Sequence, residues 1–129
     1  MKFILDTHVW LWMIAEPHRL SPTTAELMEN PENELLLSAA SSWEIAIKYS
    51  LGKLDLPSIP SRYVPQQIFE TGVTPLAVEH SHALRVASLP RHHHDPFDRL
   101  IIAQAETEEA ILITADHKFS PYGIPIQEA

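Results

Sequence analysis

The segment Ala-Ile-Leu-Ile-Thr-Ala-Asp, residues 110–116, is a short apolar run that ends close to a carboxylate. Such a run is typical of a strand buried on both faces, as in a parallel sheet covered by helices. Residues 2–5, followed by Asp6, and residues 34–38 have the same character. The stretches between these runs have the length of helices. We therefore predict βαβ units and an α/β fold with a central parallel sheet.

Helix start and stop signals divide the rest of the chain into six predicted helices. They span residues 9–14, 23–30, 41–50, 60–70, 79–88 and, from Asp95-Pro96, about 96–108. Residues 73–78 are predicted to form a short or edge strand, because Pro75 cannot donate to a central ladder. Residues 124–126 are predicted as a last edge strand.

The composition is that of one globular domain, which we assign to residues 1–129. Hydrophobic residues make up 45% of the chain and charged residues 20%. The absence of cysteine excludes disulfides, Cys-ligated zinc and a cysteine nucleophile. No apolar run reaches the roughly 18 residues of a membrane span, and the apolar start is too short for a signal peptide. We expect a cytoplasmic enzyme or binding module without a membrane partner.

Four carboxylates fall where this architecture brings side chains together. Asp6 and Asp116 follow the first and third buried strands, Glu44 lies in the helix after the second, and Asp98 lies in the helix that leads to the third. Ligands of open α/β sheets gather at the carboxyl ends of the strands, near a topological switch point. We expect the four side chains to converge there.

Asp6 and Glu44 also have structural interpretations. Asp6 is placed to cap the helix that follows it. Ser41-Ser42-Trp43-Glu44 matches a capping box, and Lys48 is one turn away for an ion pair. For Glu44 taken alone, capping is the favoured interpretation.

The other two acids have similar alternatives. Asp95 before Pro96 is the expected cap of its helix, which puts Asp98 at the third helical position, where a carboxylate favours the helix dipole. Asp116 can serve as a turn aspartate. Carboxylates within a few ångströms repel one another unless they share a cation, and hard ions such as Mg²⁺ or Mn²⁺ prefer oxygen ligands. Convergence would therefore indicate a metal site.

Histidine and tryptophan are less informative. The three consecutive histidines at residues 92–94 do not have zinc-ligand spacing, because consecutive side chains cannot all point at one metal. We interpret it as a loop that lines the site. Trp10, Trp12 and Trp43 are predicted to be core or interface residues.

Four segments, in this order, resemble those of PIN-domain ribonucleases. They are 5–12 (LDTHVWLW), 42–48 (SWEIAIK), 94–105 (HDPFDRLIIAQA) and 114–116 (TAD). Within that family the chain is similar to the VapC toxins of bacterial toxin–antitoxin pairs, in a subgroup often paired with Phd/YefM-type antitoxins. The similarity runs from Lys2 to about Gln127.

The resemblance implies an α/β/α sandwich around a parallel sheet of four to five strands, a homodimer, and Mg²⁺- or Mn²⁺-dependent endonuclease action on RNA. Asp6, Glu44, Asp98 and Asp116 fall on the family's acidic quartet, and Thr114 on its Ser/Thr before the last acid. Asp6 and Asp98 are expected to hold the metal directly. Glu44 and Asp116 would complete the coordination shell of the metal, orient water or hold a second ion. Cleavage would leave a 5′-phosphate and a 3′-hydroxyl.

Two other functional classes fit parts of the sequence. A PIN-like fold that binds a protein partner or RNA without cutting would use the acids as caps and the Trp-rich first helix as an interface. A receiver-like or phosphatase-like domain is disfavoured, because no second aspartate follows two residues after Asp6.

The formal net charge of −8 opposes simple electrostatic binding of nucleic acid. Part of this charge falls in residues 26–34 and 106–109, which we predict to face solvent away from the site. Bound Mg²⁺ would cancel part of the quartet's charge. Four basic residues near the quartet are candidates for phosphate contacts: Lys48, Arg91, Arg99 and Lys118. The charge therefore predicts weak RNA binding without metal.

Overall fold

Five short strands form one parallel sheet in the computed structural model, which describes all 129 residues. The strands are β1 Lys2–Leu5, β2 Glu34–Ser38, β3 Thr74–Leu76, β4 Ile111–Thr114 and β5 Ile126–Glu128. Their order is β3-β2-β1-β4-β5, and every neighbouring pair is parallel. All carboxyl ends therefore lie along one edge. The predicted α/β class and the strand number are confirmed.

Six α-helices connect the strands. They are α1 Thr7–Ala15, α2 Pro22–Glu29, α3 Ala39–Ser50, α4 Pro60–Thr71, α5 His80–Arg85 and α6 Pro96–Glu108. Short 3₁₀ helices add Pro17–Arg19, Val86–Ser88 and His117–Tyr122. Each predicted helix is present, but the segment predicted as 79–88 is a short α-helix followed by a 3₁₀ turn.

Alternation along the strands sends side chains into two cores. Phe3 and Leu5 belong to a cluster that includes buried residues of α1, α2, α3 and α4. Ile4 and Leu112 belong to a second cluster built largely by α6, against which α5 packs. Because successive strand residues point to opposite faces, each central strand is covered on both sides. The result is the predicted α/β/α sandwich.

The order in which strands are added to the sheet reverses at β1, so the topological switch point lies between β1 and β4. β2 and β3 extend the sheet on one side of β1, whereas β4 and β5 extend it on the other. Leu5 pairs with Ile113, and the Asp6 amide donates to the Ile113 carbonyl at 3.0 Å. Asp6 and the residues after β4 therefore meet at the switch point, where α/β proteins bind ligands.

The outer elements agree in part with the sequence interpretation. β3 is an edge strand, as Pro75 predicts, and β5 is the opposite edge, two residues later than predicted.

Trp10 is completely buried, but Trp43 is 56% exposed and packs edge-on against Phe97, with ring centroids 5.0 Å apart. Of the two predicted roles, Trp43 therefore does not have the core one, and the interface role stays a prediction. None of the helices combines the length and apolarity needed to cross a membrane.

The start of α3 differs from the predicted position for a local reason. The Ser38 hydroxyl accepts a hydrogen bond from the Ala40 amide at 3.0 Å, so that Ser38 is the cap and the helix begins at Ala39. Ser41, which the capping-box interpretation placed at the cap, lies inside the helix. Its hydroxyl accepts a hydrogen bond from the Thr7 hydroxyl at 2.8 Å, which joins α3 to α1.

We predict that Ser38→Ala lowers the free energy of unfolding by about 1 kcal/mol, because the first turn of α3 loses its cap. Urea denaturation of the metal-free protein measures this change. Ser42→Ala, at a half-buried position inside the same helix, is the matched control and should have less effect. Equal losses in the two variants would contradict the assigned cap.

Candidate active site

An open cavity of about 330 Å³ lies at the carboxyl edge of the sheet, beside the ends of β1 and β4. All four predicted acids line it: Asp6, Glu44, Asp98 and Asp116. The other lining residues are His8, Val9, Trp12, Lys48, His93, Asp95, Ala115 and Lys118. The expected convergence is therefore present, and it joins the end of β1, α3, α6 and the segment after β4.

Asp6 occupies the cap position of α1 without acting as a cap. Its side chain makes no capping hydrogen bond to the helix. Instead, the Thr114 hydroxyl donates to Asp6 Oδ2 at 2.7 Å and accepts from the Asp116 amide at 3.0 Å. Burial raises the pKa of Asp6, although the Thr114 hydrogen bond acts in the opposite direction. The carboxylate is thus held at the cavity rather than used for helix stability.

Glu44 lies in the second turn of α3, so the capping-box interpretation was wrong. Its side chain is only 4% exposed. Oε2 accepts from Lys48 Nζ at 2.6 Å, which confirms the predicted pair, whereas Oε1 is buried without a hydrogen-bond partner. An unpartnered buried carboxylate oxygen is costly and indicates a missing cation or donor.

Lys48 carries the positive charge closest to Glu44. Burial lowers the pKa of Lys48, but the hydrogen bond and charge of Glu44, with the charges of Asp95 and Asp98, outweigh that effect and raise it. The ammonium therefore stays charged beside the acids.

Asp95 and Asp98 divide the structural and functional roles of their turn. Asp95 Oδ1 accepts from the amides of Phe97 and Asp98 at 2.9 and 3.3 Å, which confirms it as the cap of α6. Asp98 is left to face the cavity. Burial, and then the charges of the surrounding carboxylates with Asp6 first, raise the pKa of Asp98 to about 8. Without a bound cation, Asp98 is therefore mostly protonated at neutral pH.

Asp116 combines the turn interpretation with the functional one. Oδ1 accepts from the Lys118 amide at 2.9 Å and caps the following 3₁₀ helix. Oδ2 lies 3.6 Å from His93 Nε2. One oxygen thus fixes the turn while the other is directed to the acidic cluster.

His93 is the residue of the histidine run that reaches the cavity. Its Nε2 lies 2.8 Å from Asp98 Oδ2, and one possible ligand atom from each of His93, Asp98 and Asp116 lies within 4.8 Å of the others. His92 and His94 are exposed. The sequence predicted a lining loop but did not single out His93, because the selection depends on how the loop folds back on α6.

The basic residues predicted to contact phosphate fall into two groups. Lys48 and Lys118 line the acidic cavity. Arg91 lines a separate cavity of about 290 Å³. Arg99 is buried and donates to backbone carbonyls, so its predicted role in phosphate binding was wrong.

The donor set fits a hard divalent cation. Its carboxylates supply the oxygen ligands that Mg²⁺ and Mn²⁺ prefer. The unpartnered Glu44 Oε1 and the raised pKa of Asp98 both show that the pocket is short of positive charge. One or two divalent ions at this position would remove that deficit.

Fold and pocket together define an α/β/α protein with an acidic, cation-suited pocket at its switch point. The PIN domain family profile matches residues 3–124. The chain belongs to the PIN domain family, as its four motifs predicted.

Two relatives from Mycobacterium tuberculosis carry the name ribonuclease VapC. Ribonuclease VapC22 is 34% identical over 126 residues, which cover 95% of this chain and 92% of that protein. Ribonuclease VapC16 is 48% identical over 59 residues, which cover 46% of this chain and 42% of VapC16. In that second match the chain spans less than half the length of its relative. The predicted resemblance to VapC proteins is confirmed.

Solved structures show the same fold at low sequence identity. VapBC2 from Rickettsia felis, bound to a DNA fragment from its promoter, superposes with a TM-score of 0.72 at 18% identity and covers 99% of this chain and 98% of its own. DNA-bound VapBC from Salmonella typhimurium gives 0.71 at 18% identity with the same coverage. These likenesses establish the architecture and leave the chemistry to the site itself.

We predict that Asp98→Asn stabilises the metal-free protein as pH rises. The pKa of Asp98 in the folded state, about 8, exceeds the ordinary value of 3.8, so protonation of Asp98 stabilises the wild-type fold relative to the unfolded chain. That contribution is fully present below about pH 3.8 and is lost as pH rises through about 8. The asparagine variant has no such loss. Thermal unfolding in chelator from pH 5 to pH 9 should therefore show a growing advantage for Asp98→Asn.

Asp55→Asn, at an exposed aspartate outside the cavity, is the control. It should follow the wild-type pH profile. An Asp98→Asn variant that also follows that profile would show that Asp98 is ionised in the metal-free fold.

Proposed function

We propose that this protein is a metal-dependent endoribonuclease that acts as the toxin of a toxin–antitoxin pair. The observation that carries the proposal is the meeting of four carboxylates from separate elements in one cavity at the switch point. The family match and the VapC ribonucleases among its relatives support the same function. We place the activity in the cytoplasm, where cellular RNA is found.

The metal is proposed to be Mg²⁺ or Mn²⁺, held directly by Asp6 and Asp98. Among the neighbouring charges, that of Asp6 raises the Asp98 pKa most, which supports the closeness of the two groups. A bound divalent ion supplies Lewis-acid stabilisation of phosphate oxygens and makes water a better nucleophile. The all-carboxylate set favours these ions over softer metals.

The remaining residues position the reacting groups. Glu44 and Asp116 are proposed to complete the shell and orient the attacking water, or to hold a second ion. Thr114 keeps Asp6 in a single orientation through its hydroxyl. Lys48 and Lys118, at the cavity wall, are proposed to contact RNA phosphates. Hydrolysis would leave a 5′-phosphate and a 3′-hydroxyl.

The proposed partners are an antitoxin, of the Phd/YefM type that the sequence resemblance implies, and a second copy of this chain. The VapBC structures that share the fold are toxin–antitoxin complexes, which supports an antitoxin partner here. The acidic surface would suit a basic segment of such a partner. Glu26, Glu29, Glu32 and Glu34 are all exposed, as the sequence predicted for that patch.

We predict that Asp6→Asn and Asp98→Asn each lower the rate of RNA cleavage by about 100-fold or more, since even outer-shell partners of a metal change affinity or activity by about 10–100-fold. The measurement is the rate of cleavage of a labelled RNA with Mg²⁺ or Mn²⁺. The exposed Asp55→Asn variant should cleave like the wild type. Cleavage that persists in both pocket variants, or in excess chelator, would contradict the proposal and leave RNA or protein binding as the function.

Lys48→Met is predicted to raise the KM for RNA by about tenfold, because one charge-assisted phosphate contact is worth roughly 1.5–3 kcal/mol. Lys53→Met, at an exposed lysine that lines a neighbouring cavity together with Lys48 and lies outside the acidic cavity, is the control with the same loss of charge. The comparison is made at two salt concentrations, and the wild type should show the steeper salt dependence. An equal rise in KM in both variants would indicate that only the loss of net charge matters, which would contradict a specific phosphate contact at Lys48.

A further inference from the structure

The loop before α6 is held by a buried arginine rather than by an ion pair. Arg99 is 9% exposed, and its guanidinium donates only to uncharged oxygens. The acceptors are the carbonyls of Val86, Leu89, Pro90 and His93, at 2.8, 3.3, 2.8 and 3.3 Å, and the Tyr122 hydroxyl at 3.3 Å. A planar guanidinium can serve several carbonyls at once, which a lysine cannot do. Arg99 thus fixes the whole course of residues 86–93.

This loop places His93 in one defined orientation. The His93 amide donates to the Tyr122 hydroxyl at 2.7 Å, and the ring packs edge-on against Phe119 with centroids 5.5 Å apart. His93 Nδ1 accepts from the Asp95 amide at 3.2 Å. A backbone amide can only donate, so Nδ1 must keep its lone pair and the ring proton must lie on Nε2.

The protonated nitrogen faces the two carboxylates of the cavity. Nε2 lies 2.8 Å from Asp98 Oδ2 and 3.6 Å from Asp116 Oδ2, and the His93 side chain is only 7% exposed. The Asp98 oxygen does not lie along the N–H direction, so this buried donor has no linear hydrogen bond. A nitrogen that carries a proton has no lone pair for a metal. His93 therefore faces the acids as a donor and not as a ligand.

We propose that His93 is a positioning residue: its Nε2–H, held against Asp98 and Asp116 by the Arg99-fixed loop, offsets the repulsion between the two carboxylates and keeps them close enough to share a cation. This inference rests on the proposed metal function. The N–H dipole beside the two carboxylates offsets part of their mutual repulsion without a linear hydrogen bond to either one. Partners of this kind typically change metal affinity or activity by about 10–100-fold.

The test compares His93→Leu with His93→Gln in the full chain. Leucine fills most of the space without a donor, whereas the glutamine amide supplies an N–H near the position of Nε2. Mn²⁺ affinity is measured by calorimetry, and thermal unfolding in chelator reports whether each variant folds. We expect His93→Leu to bind Mn²⁺ about 10–100-fold more weakly and His93→Gln to recover most of the loss. His94→Leu, at the exposed neighbour, should bind as the wild type does.

If the wild-type protein binds Mn²⁺ and cleaves RNA, and His93→Leu binds Mn²⁺ with the same affinity, the positioning role alone is overturned. A wild-type protein that neither binds Mn²⁺ nor cleaves RNA would overturn the proposed function, and this inference with it. Equal losses in the leucine and glutamine variants would indicate that only the ring's packing matters, which also contradicts the inference.

A second measurement tests the tautomer without metal or RNA. Two-bond ¹H–¹⁵N correlations of the metal-free protein distinguish a protonated from an unprotonated ring nitrogen. We expect the proton of His93 on Nε2 and a lone pair on Nδ1. A proton on Nδ1 would free Nε2 to bind metal and would overturn the positioning role.

Discussion

Repulsion among carboxylates in one partly buried pocket is the constraint on which the site depends. Asp6, Glu44 and Asp98 are 6%, 3% and 9% exposed, so water screens their charges poorly. The structure answers this repulsion with a raised pKa at Asp98, the Lys48 ammonium beside Glu44, and the Thr114 hydroxyl on Asp6. These devices leave Glu44 Oε1 without a partner. A divalent cation satisfies the same oxygens together, which is why the pocket suits a metal-dependent hydrolysis.

The fold keeps the acids close by attaching each one to a rigid element. The pairing of β1 with β4 brings Asp6 beside the turn of Asp116, and helix caps place the other two acids. Caps also separate structural from functional carboxylates. Asp95 uses its oxygen on the amides of α6 and so leaves Asp98 free, whereas α1 begins without a side-chain cap because Asp6 is turned to Thr114. Helix α1 thus lacks a stabilising interaction that function has redirected.

Much of the architecture could be predicted from local patterns, and the errors have physical causes. The strand at residues 34–38 and the proline-initiated α6 were predicted closely, because apolar runs and an Asp-Pro start act locally. The start of α3 was predicted two residues late, because Ser38 and Ser41 are equally good caps in the sequence and only the end of β2 decides between them. Trp43 was predicted to be a core or interface residue, and the core alternative was wrong because the sheet buries the opposite face of α3.

By itself, the sequence determined the class of fold, the position of each acid relative to its strand or helix, and the family to which the chain belongs. Those properties depend on periodicity, caps and motif order, which are local. Only the tertiary structure decided that Asp95 caps while Asp98 faces the cavity, that Arg99 binds a loop rather than phosphate, and that His93 meets two carboxylates. Each of these depends on hydrogen bonds between elements distant in the chain. Such bonds exist only once the sheet has brought β1, β4 and α6 together.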